Sequence, residues 1–491
     1  MPSEAELIGE RVKKTAELRR IGVNPYPYSY KPTHHSSEIL QKYSSLENGA
    51  ESGKSASIAG RIIALRRMGK ATFMHILDET GKLQLMLRED TLGEEKYGML
   101  KLLDIGDWIG AEGSIIKTNS GEITIRVSIY TLLCKSIRPL PEKWHGLQDV
   151  ETRYRERYLD LIANPDVRKV LKQRSNMIKA IRDFMHEREF MEVETPILQT
   201  IYGGANARPF TTHMHDIDLK MYLRISPELY LKRLIVGGFE KVFELGRVFR
   251  NESMDKDHNP EFTSIEWYQA YADYNTMMSM TEDLFLQVCA KVIGSTQVRY
   301  VGHDIEFKKS WARITMLDAI KIFAGIDIQG LSDESLKHVC TENGVELPSN
   351  ATRGMMIAEV FGQVAQPKII QPTFVTDHPI ETTPLCKQLR TGSKDFVERF
   401  ELFICGMELA NAYSELNDPI LQRELLEKQA SALRLGNAEA NPMDEDFVRA
   451  IEQGMPPTGG IGIGIDRMAL VLTGQANIRD VLLFPTMKPS V

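Results

Sequence analysis

Residues 242–274, VFELGRVFRNESMDKDHNPEFTSIEWYQAYADY, constrain the fold more than any other stretch, because two alternating runs flank a polar loop. Successive side chains of a strand point to opposite faces, so Glu244, Gly246, Val248 and Arg250 share one face of the first run. Phe262, Ser264, Glu266 and Tyr268 share one face of the second, and Asn251 to Pro260 join the two. Paired as an antiparallel hairpin, the runs would gather Arg250, Phe262, Glu266 and Tyr268 into a patch with a cation, an aromatic plate, a carboxylate and a phenol. A buried ion-pair ladder fits the same pattern. Both readings predict antiparallel sheet, and the long helical patterns around it over 166–491 predict an α+β fold.

At 491 residues the chain exceeds one ordinary domain. Residues 1–55 read as a weakly amphipathic, solvated helix over 5–20 followed by a connector rich in proline, tyrosine and serine. From 56 to 137 short alternating runs are broken by DETGK and TNSGE, which predicts a small β-barrel of the oligonucleotide-binding size. Residues 138–165 pass from a proline-marked linker into a basic helical stretch, and 312–365 read as a helical insertion in the α+β domain.

Composition narrows the function. The 60 Lys and Arg against 67 Asp and Glu leave a net charge of -7, which excludes a globally basic nucleic-acid coat but not a local RNA-binding patch. Cys134, Cys289, Cys340, Cys386 and Cys405 form no metal-binding spacing, so free thiols in a reducing compartment are expected. The charged amino terminus lacks the apolar stretch of a secretory signal, and no apolar run reaches the roughly 18 residues of a membrane span. A cytoplasmic protein without a membrane role is the expectation.

The hairpin stretch resembles the second signature motif of class II aminoacyl-tRNA synthetases, in the wording of the lysyl-tRNA synthetases. FMEVETPIL, with Pro196, resembles the first, dimer-forming motif, and GGIGIGIDRMALVL, with Arg467, resembles the third. The resemblance spans nearly the whole chain, including the barrel and the connector RPLPEKWHGLQDVETRYRERYLDL. It implies an N-terminal OB-fold that binds the anticodon and an antiparallel catalytic sheet. The implied activity is activation of L-lysine by ATP and its transfer to tRNA(Lys), with Mg2+ and as a homodimer.

The residue types suit that chemistry. Attack of an amino-acid carboxylate on the α-phosphorus of ATP brings two anions together, which calls for fixed positive charge rather than a nucleophilic side chain. Arg250 supplies a planar fork able to bridge carboxylate and phosphate. The resemblance places Glu252 and Asn259 near the adenine, His258 near the distal phosphates, and Phe262 and Arg467 on the two adenine faces. It assigns Glu401 and Glu408 to magnesium. Seven residues apart on one straight strand they would face opposite sides, so a turn or bulge near Cys405 and Gly406 is required.

Asn411, Tyr413 and Glu415 recur with period two and so share a face. By resemblance Glu415 and the Tyr268 hydroxyl take the ε-ammonium of lysine, Tyr413 packs its stem, and Asn411 helps hold its carboxylate. Gly204 and Glu228 attend the α-ammonium, and Glu266 lines the floor. The alternating glycines of GIGIGIDR let a strand approach a ligand closely; a phosphate loop is the rival reading, and no GKS or GKT follows. In the barrel, Arg66, Phe73, Gln84 and Glu122 match positions that read the central anticodon base, by stacking and edge bonding to unpaired RNA. A core role for Phe73 is the alternative.

Three positions depart from the usual bacterial wording: Ser226 stands for alanine, Ser253 for glycine and Tyr413 for phenylalanine. Serine at the first is shared with a related ligase that lysylates a translation factor, a relative without the barrel; Gly462 keeps the glycine of the tRNA enzymes. Aspartyl- and asparaginyl-tRNA synthetases share the architecture but need a cationic pocket. A catalytically silent RNA-binding paralogue would have lost Arg250, Arg467, Glu401 or Glu408, and all four are present.

Overall fold

The computed structural model describes residues 2–140, 147–348, 351–434 and 440–489. The chain forms two compact units, Met1–Leu147 and Gln148–Val491. Of the 138–165 linker, residues 141–146 lie outside the described residues.

In the first unit α1 (Glu4–Arg20) starts at a capping box in which Ser3 and Glu6 satisfy each other's backbone N–H groups. Its polar length stays solvated, but buried Arg11 donates to the carbonyls of Ile105, Ser136 and Arg138 and so ties the helix to the barrel. Five strands follow: β1 (Glu51–Met68), β2 (Ala71–Leu77), β3 (Lys82–Arg88), β4 (Trp108–Lys117) and β5 (Ile123–Cys134). They close in the order β1-β2-β3-β5-β4. Alternation fills the interior with Met74, Ile76, Leu83, Leu85 and Ile125, leaving the other set of side chains outside. β1 begins five residues before the bound of 56 read from the sequence, since polar ESGKS, which reads as a loop, pairs Glu51 with Ile116 and Ser55 with Ser114.

The second unit is built on an eight-stranded sheet. Its strands are β6 (Met191–Glu192), β7 (Lys241–Phe249), β8 (Glu261–Ala270), β9 (Ala312–Thr315), β10 (Thr373–Pro379), β11 (Phe396–Ile404), β12 (Met407–Ser414) and β13 (Thr458–Gly464). The order across the sheet is β9-β10-β11-β12-β13-β8-β7-β6. Only β6 and β9 pair in parallel, each at an edge. α2 (Pro165–His186) carries proline at its first turn and buries Met177, Ala180, Ile181, Phe184 and Met185, one helical stripe, against the sheet's largest core. The expected insertion over 312–365 is not helical at its start: Ala312–Thr315 forms edge strand β9, and helix begins at Met316. Four residues ending in Ile and Thr are too short to show against the helical pattern that follows. Among the described residues no helix is long and apolar enough to cross a membrane, and the five cysteines are free thiols.

Candidate active site

β7 and β8 pair antiparallel with Glu244 opposite Glu266 and Val248 opposite Phe262, so the hairpin expected from the sequence forms in that register. The Arg250 amide closes the loop by donating to Pro260 O at 2.8 Å. β13 then inserts between β8 and β12, placing Gly460 between Tyr268 and Tyr413, and Gly462 between Glu266 and Asn411. A column of glycines therefore lies beneath two rows of functional side chains, and a cavity of about 370 Å³ opens above it. A Cβ on Gly460 would overlap the Glu415 carboxylate and the Tyr268 ring. Gly204, at φ +86°, closes the same end over Ser226 and Glu228, a conformation suited to glycine.

Glu401 and Glu408 meet through a two-residue turn. Cys405 and Gly406 have φ of 47° and 74°, the left-handed pair of a tight hairpin, and Ile404 pairs with Met407. Folding back this way puts Glu408 opposite Phe403, on the face of Glu401. A bulge then skips Leu409, so that Asn411 opposite Glu401 comes into phase with Glu408. Both carboxylates line the cavity. Glu401 pairs with Arg399, while burial and the facing Glu401 push the Glu408 carboxyl above the ordinary carboxylate range. Among the described residues no three His, Cys, Asp or Glu side chains are placed to hold a metal ion alone. A hard cation at the two glutamates would complete its shell with phosphate oxygens and water.

Arg250 lies with its guanidinium 5.2 Å from the Phe262 ring centroid, and its buried Nε has no partner among the described residues. A rigid cation over an aromatic plate thus keeps donors in reserve. The helix Ile465–Thr473 begins at Gly464 and presents Arg467. Arg467 donates to Glu408 O at 2.7 Å and reaches His258 Nε2 at 2.9 Å. Because a guanidinium only donates, Nε2 accepts and the ring proton sits on Nδ1, facing Asp255 at 2.8 Å. Asp466 accepts from Arg174 and from Thr263 N, pinning this helix to β8. Glu252 lines the cavity and is exposed. The Asn259 side chain donates to Glu261 O and accepts from Thr486 N, which fixes the orientation of its amide.

At the other end, helix α3 (Glu228–Val236) brings Glu228 to the cavity. Ser226 Oγ donates to Glu266 at 2.9 Å and accepts from Glu228 N at 3.0 Å. Tyr268 is oriented toward Glu266, at 3.3 Å, rather than bonded to Glu415. Burial and the nearby Glu228 raise the Glu266 carboxyl to about 8. Glu415 is fully buried and is not the lone carboxylate that the sequence implied, because Lys232 lies against it in an ion pair. Burial outweighs this pairing and holds the Glu415 carboxyl above its usual range.

On the barrel, Arg66 pairs with Phe73 across β1 and β2, and Gln84 sits between His75 and Thr124. Phe73 is half-buried on the outer face and belongs to no core cluster. Glu122 accepts from Gln84 at 2.7 Å and meets His75 Nε2 at 2.8 Å, while Thr124 donates to Gln84 Oε1 at 2.8 Å. That fixes which way the Gln84 amide points.

Residues 149–488 match the family model described as tRNA synthetases class II (D, K and N), and residues 56–133 match the OB-fold nucleic acid binding domain. A lysine–tRNA ligase of Clostridium perfringens is 50% identical over 492 residues, covering 99% of this chain and 97% of that protein. One of Carboxydothermus hydrogenoformans is 50% identical over 485 residues, covering 99% and 98%. The chain belongs to the lysine–tRNA ligase family of class II tRNA synthetases. The second and third motifs read from the sequence contribute walls of the cavity, and the first, around Pro196, does not. Sequence reading missed Arg399, Lys232 and His75. Arg399 is two residues from Glu401 on one strand, and Lys232 is four from Glu228 on one helix, spacings at which same-face pairing is expected. His75 carried no such cue.

Proposed function

We propose that this chain activates L-lysine with ATP to lysyl-adenylate and transfers the lysine to the 3′ end of tRNA(Lys), in the cytoplasm and as a homodimer. The observation that carries the reading is one cavity whose cationic end, at Arg250 and Arg467, opens into an acidic end where Glu228, Glu266 and Glu415 converge. Lysine lies with its ε-ammonium at Glu415 and Tyr268, its stem along Tyr413 and its α-ammonium between Glu228 and the Gly204 carbonyl. Its carboxylate is held by Arg250 with Asn411. The adenine stacks between Phe262 and Arg467, with Glu252 and Asn259 at its edge and His258 near the distal phosphates. Arg250 bridges the attacking carboxylate and the α-phosphate, where negative charge gathers in the transition state. Magnesium, held by Glu401 and Glu408, would neutralise phosphate oxygens and help the pyrophosphate leave.

On the barrel, Phe73 stacks on an anticodon base while Arg66, Gln84 and Glu122 bond along its edge. The dimer reading rests on an exposed apolar strip around Pro196: Met191, Ile197, Leu198, Ile201, Met214 and Ile217. Exchange of pyrophosphate into ATP, run with lysine, asparagine and aspartate, tests the activity. Exchange with lysine alone is expected, and exchange driven by aspartate or asparagine would overturn the assignment. Sedimentation of a fully active monomer at micromolar concentration would remove the dimer.

A further inference from the structure

Lys232 has no part in the residue assignments made so far, yet it occupies the acidic end of the cavity from behind. Its side chain is fully buried, and it is not among the described residues that line the cavity. The ammonium lies 2.6 Å from Glu228 Oε1, pairs with Glu415 Oε2, and sits 6.0 Å from the Tyr268 ring centroid. One internal lysine therefore touches both carboxylates that are meant to divide between the two ammonium groups of the substrate.

Charge counting shows why such a group is needed. With its three carboxylates ionised, the acidic end sets Glu228, Glu266 and Glu415 against Lys232 and, at its border with the cationic end, Arg250, while Arg399 is already paired with Glu401. Three negative and two positive groups leave one negative charge. Lysine, with two ammonium groups and one carboxylate, brings one positive charge and closes the count at zero. Without Lys232 the closed pocket would keep an uncompensated negative charge away from water, which is costly.

We infer that Lys232 is a positioning residue, the built-in counter-ion that holds the Glu228 and Glu415 carboxylates in place to receive a dicationic amino acid. It rests on the reading that Glu415 takes the ε-ammonium. The groups facing the pair are Glu266 and Tyr268 from β8, Tyr413 from β12, Cys386 and Arg399 beyond Glu415, and Glu228 on α3 itself. Burial with Glu228 and Glu266 still outweighs Lys232 and holds the Glu415 carboxyl above its usual range, whereas Lys232 keeps its own proton firmly. Because the ε-ammonium pairs with the ionised form of the raised Glu415 carboxyl, lysine binding becomes easier as pH rises. Removing Lys232 pushes the Glu415 carboxyl further up and steepens that dependence.

The test is lysine-dependent pyrophosphate exchange from pH 6.5 to 8.5 with the parent, Lys232→Met, Lys232→Arg and Glu415→Gln full-length proteins. Lys232→Met should raise the KM for lysine about a hundredfold at pH 7, the size expected when one partner of a buried pair is removed. The excess should shrink toward pH 8.5, with the KM for ATP nearly unchanged. Lys232→Arg, which keeps the charge, should retain the parental pH profile. A lysine KM for Lys232→Met close to the parent's, or a loss that ignores pH and falls equally on ATP, overturns the inference. If Lys232→Met does not fold, Lys232→Met/Glu415→Gln, which removes one charge of each sign, is set against Glu415→Gln alone. A further rise in the lysine KM then supports the counter-ion, and identical lysine KM values sink it. An unchanged lysine KM in Glu415→Gln would instead remove the pocket reading itself.

Discussion

The acidic end of the catalytic cavity and the outer face of the barrel each present a glutamate, and they treat it in opposite ways. Glu415 has no exposed side-chain surface and is faced by a full positive charge, Lys232. Glu122, with 41% of its side chain exposed, makes do with the Gln84 amide and the His75 ring. A buried carboxylate needs a charged partner because ion desolvation costs several kcal/mol, while water supplies most of the compensation at a surface. The pocket can therefore discriminate by charge, and the barrel patch by stacking and hydrogen-bond direction.

Substitutions can break or sharpen that contrast. The largest effect should come from Glu415→Gln, which removes the carboxylate assigned to the ε-ammonium and leaves Lys232 paired with Glu228: about 3 kcal/mol, or roughly a hundredfold or more, in lysine activation, with the KM for ATP unchanged. Pyrophosphate exchange measures it, and a loss below about threefold would place Glu415 outside the lysine site. Norleucine probes the same carboxylate from the substrate side. Because Lys232 stays beside Glu415, rejection should reflect one lost charge-assisted bond, about 1.5–3 kcal/mol, rather than an isolated buried charge. Parental exchange with norleucine as efficient as with lysine would refute selection by charge.

Phe73→Ala comes next, with about 1–3 kcal/mol of stacking lost. Charging of tRNA should fall roughly tenfold or more while adenylate formation is untouched, and an equal fall in both assays would make Phe73 structural. Glu122→Gln should be smallest, within about 1 kcal/mol in charging efficiency and thermal stability alike, as expected of an exposed charge. A destabilisation as large as that of Glu415→Gln would erase the contrast between the two regions.

Much of this was legible from alternation alone. The shared faces of the β7 and β8 side chains, the shared face of Asn411, Tyr413 and Glu415, and the need for a reversal between Glu401 and Glu408 follow from a period of two. Three features escaped it for physical reasons. A bulge changes the phase of a strand by one residue without leaving a mark in composition, so the alignment of Asn411 with Glu408 becomes visible only in the pairing. Lys232 was hidden because a lysine on a helix reads as a solvated charge, and only tertiary packing turns it inward. The four-residue strand at Ala312 was lost to the helices beside it.

The glycine column of β13 has a consequence for how defects in this protein would be noticed. A Cβ at Gly459 would strike the Asp273 backbone, and one at Gly460 the Glu415 carboxylate, so alanine at either position should disturb the fold and betray itself by a lowered melting temperature. At Gly462 the nearest protein atom to an added Cβ is Glu266 Cγ at 3.4 Å, and at Gly464 it is Arg467 Cβ at 3.7 Å, both ordinary contacts. On the proposed reading, the room there is the room the substrate would fill. Gly462→Ala should therefore melt like the parent and yet be blind to its amino acid, a lesion that passes every check a cell makes on folding and surfaces only as slow translation.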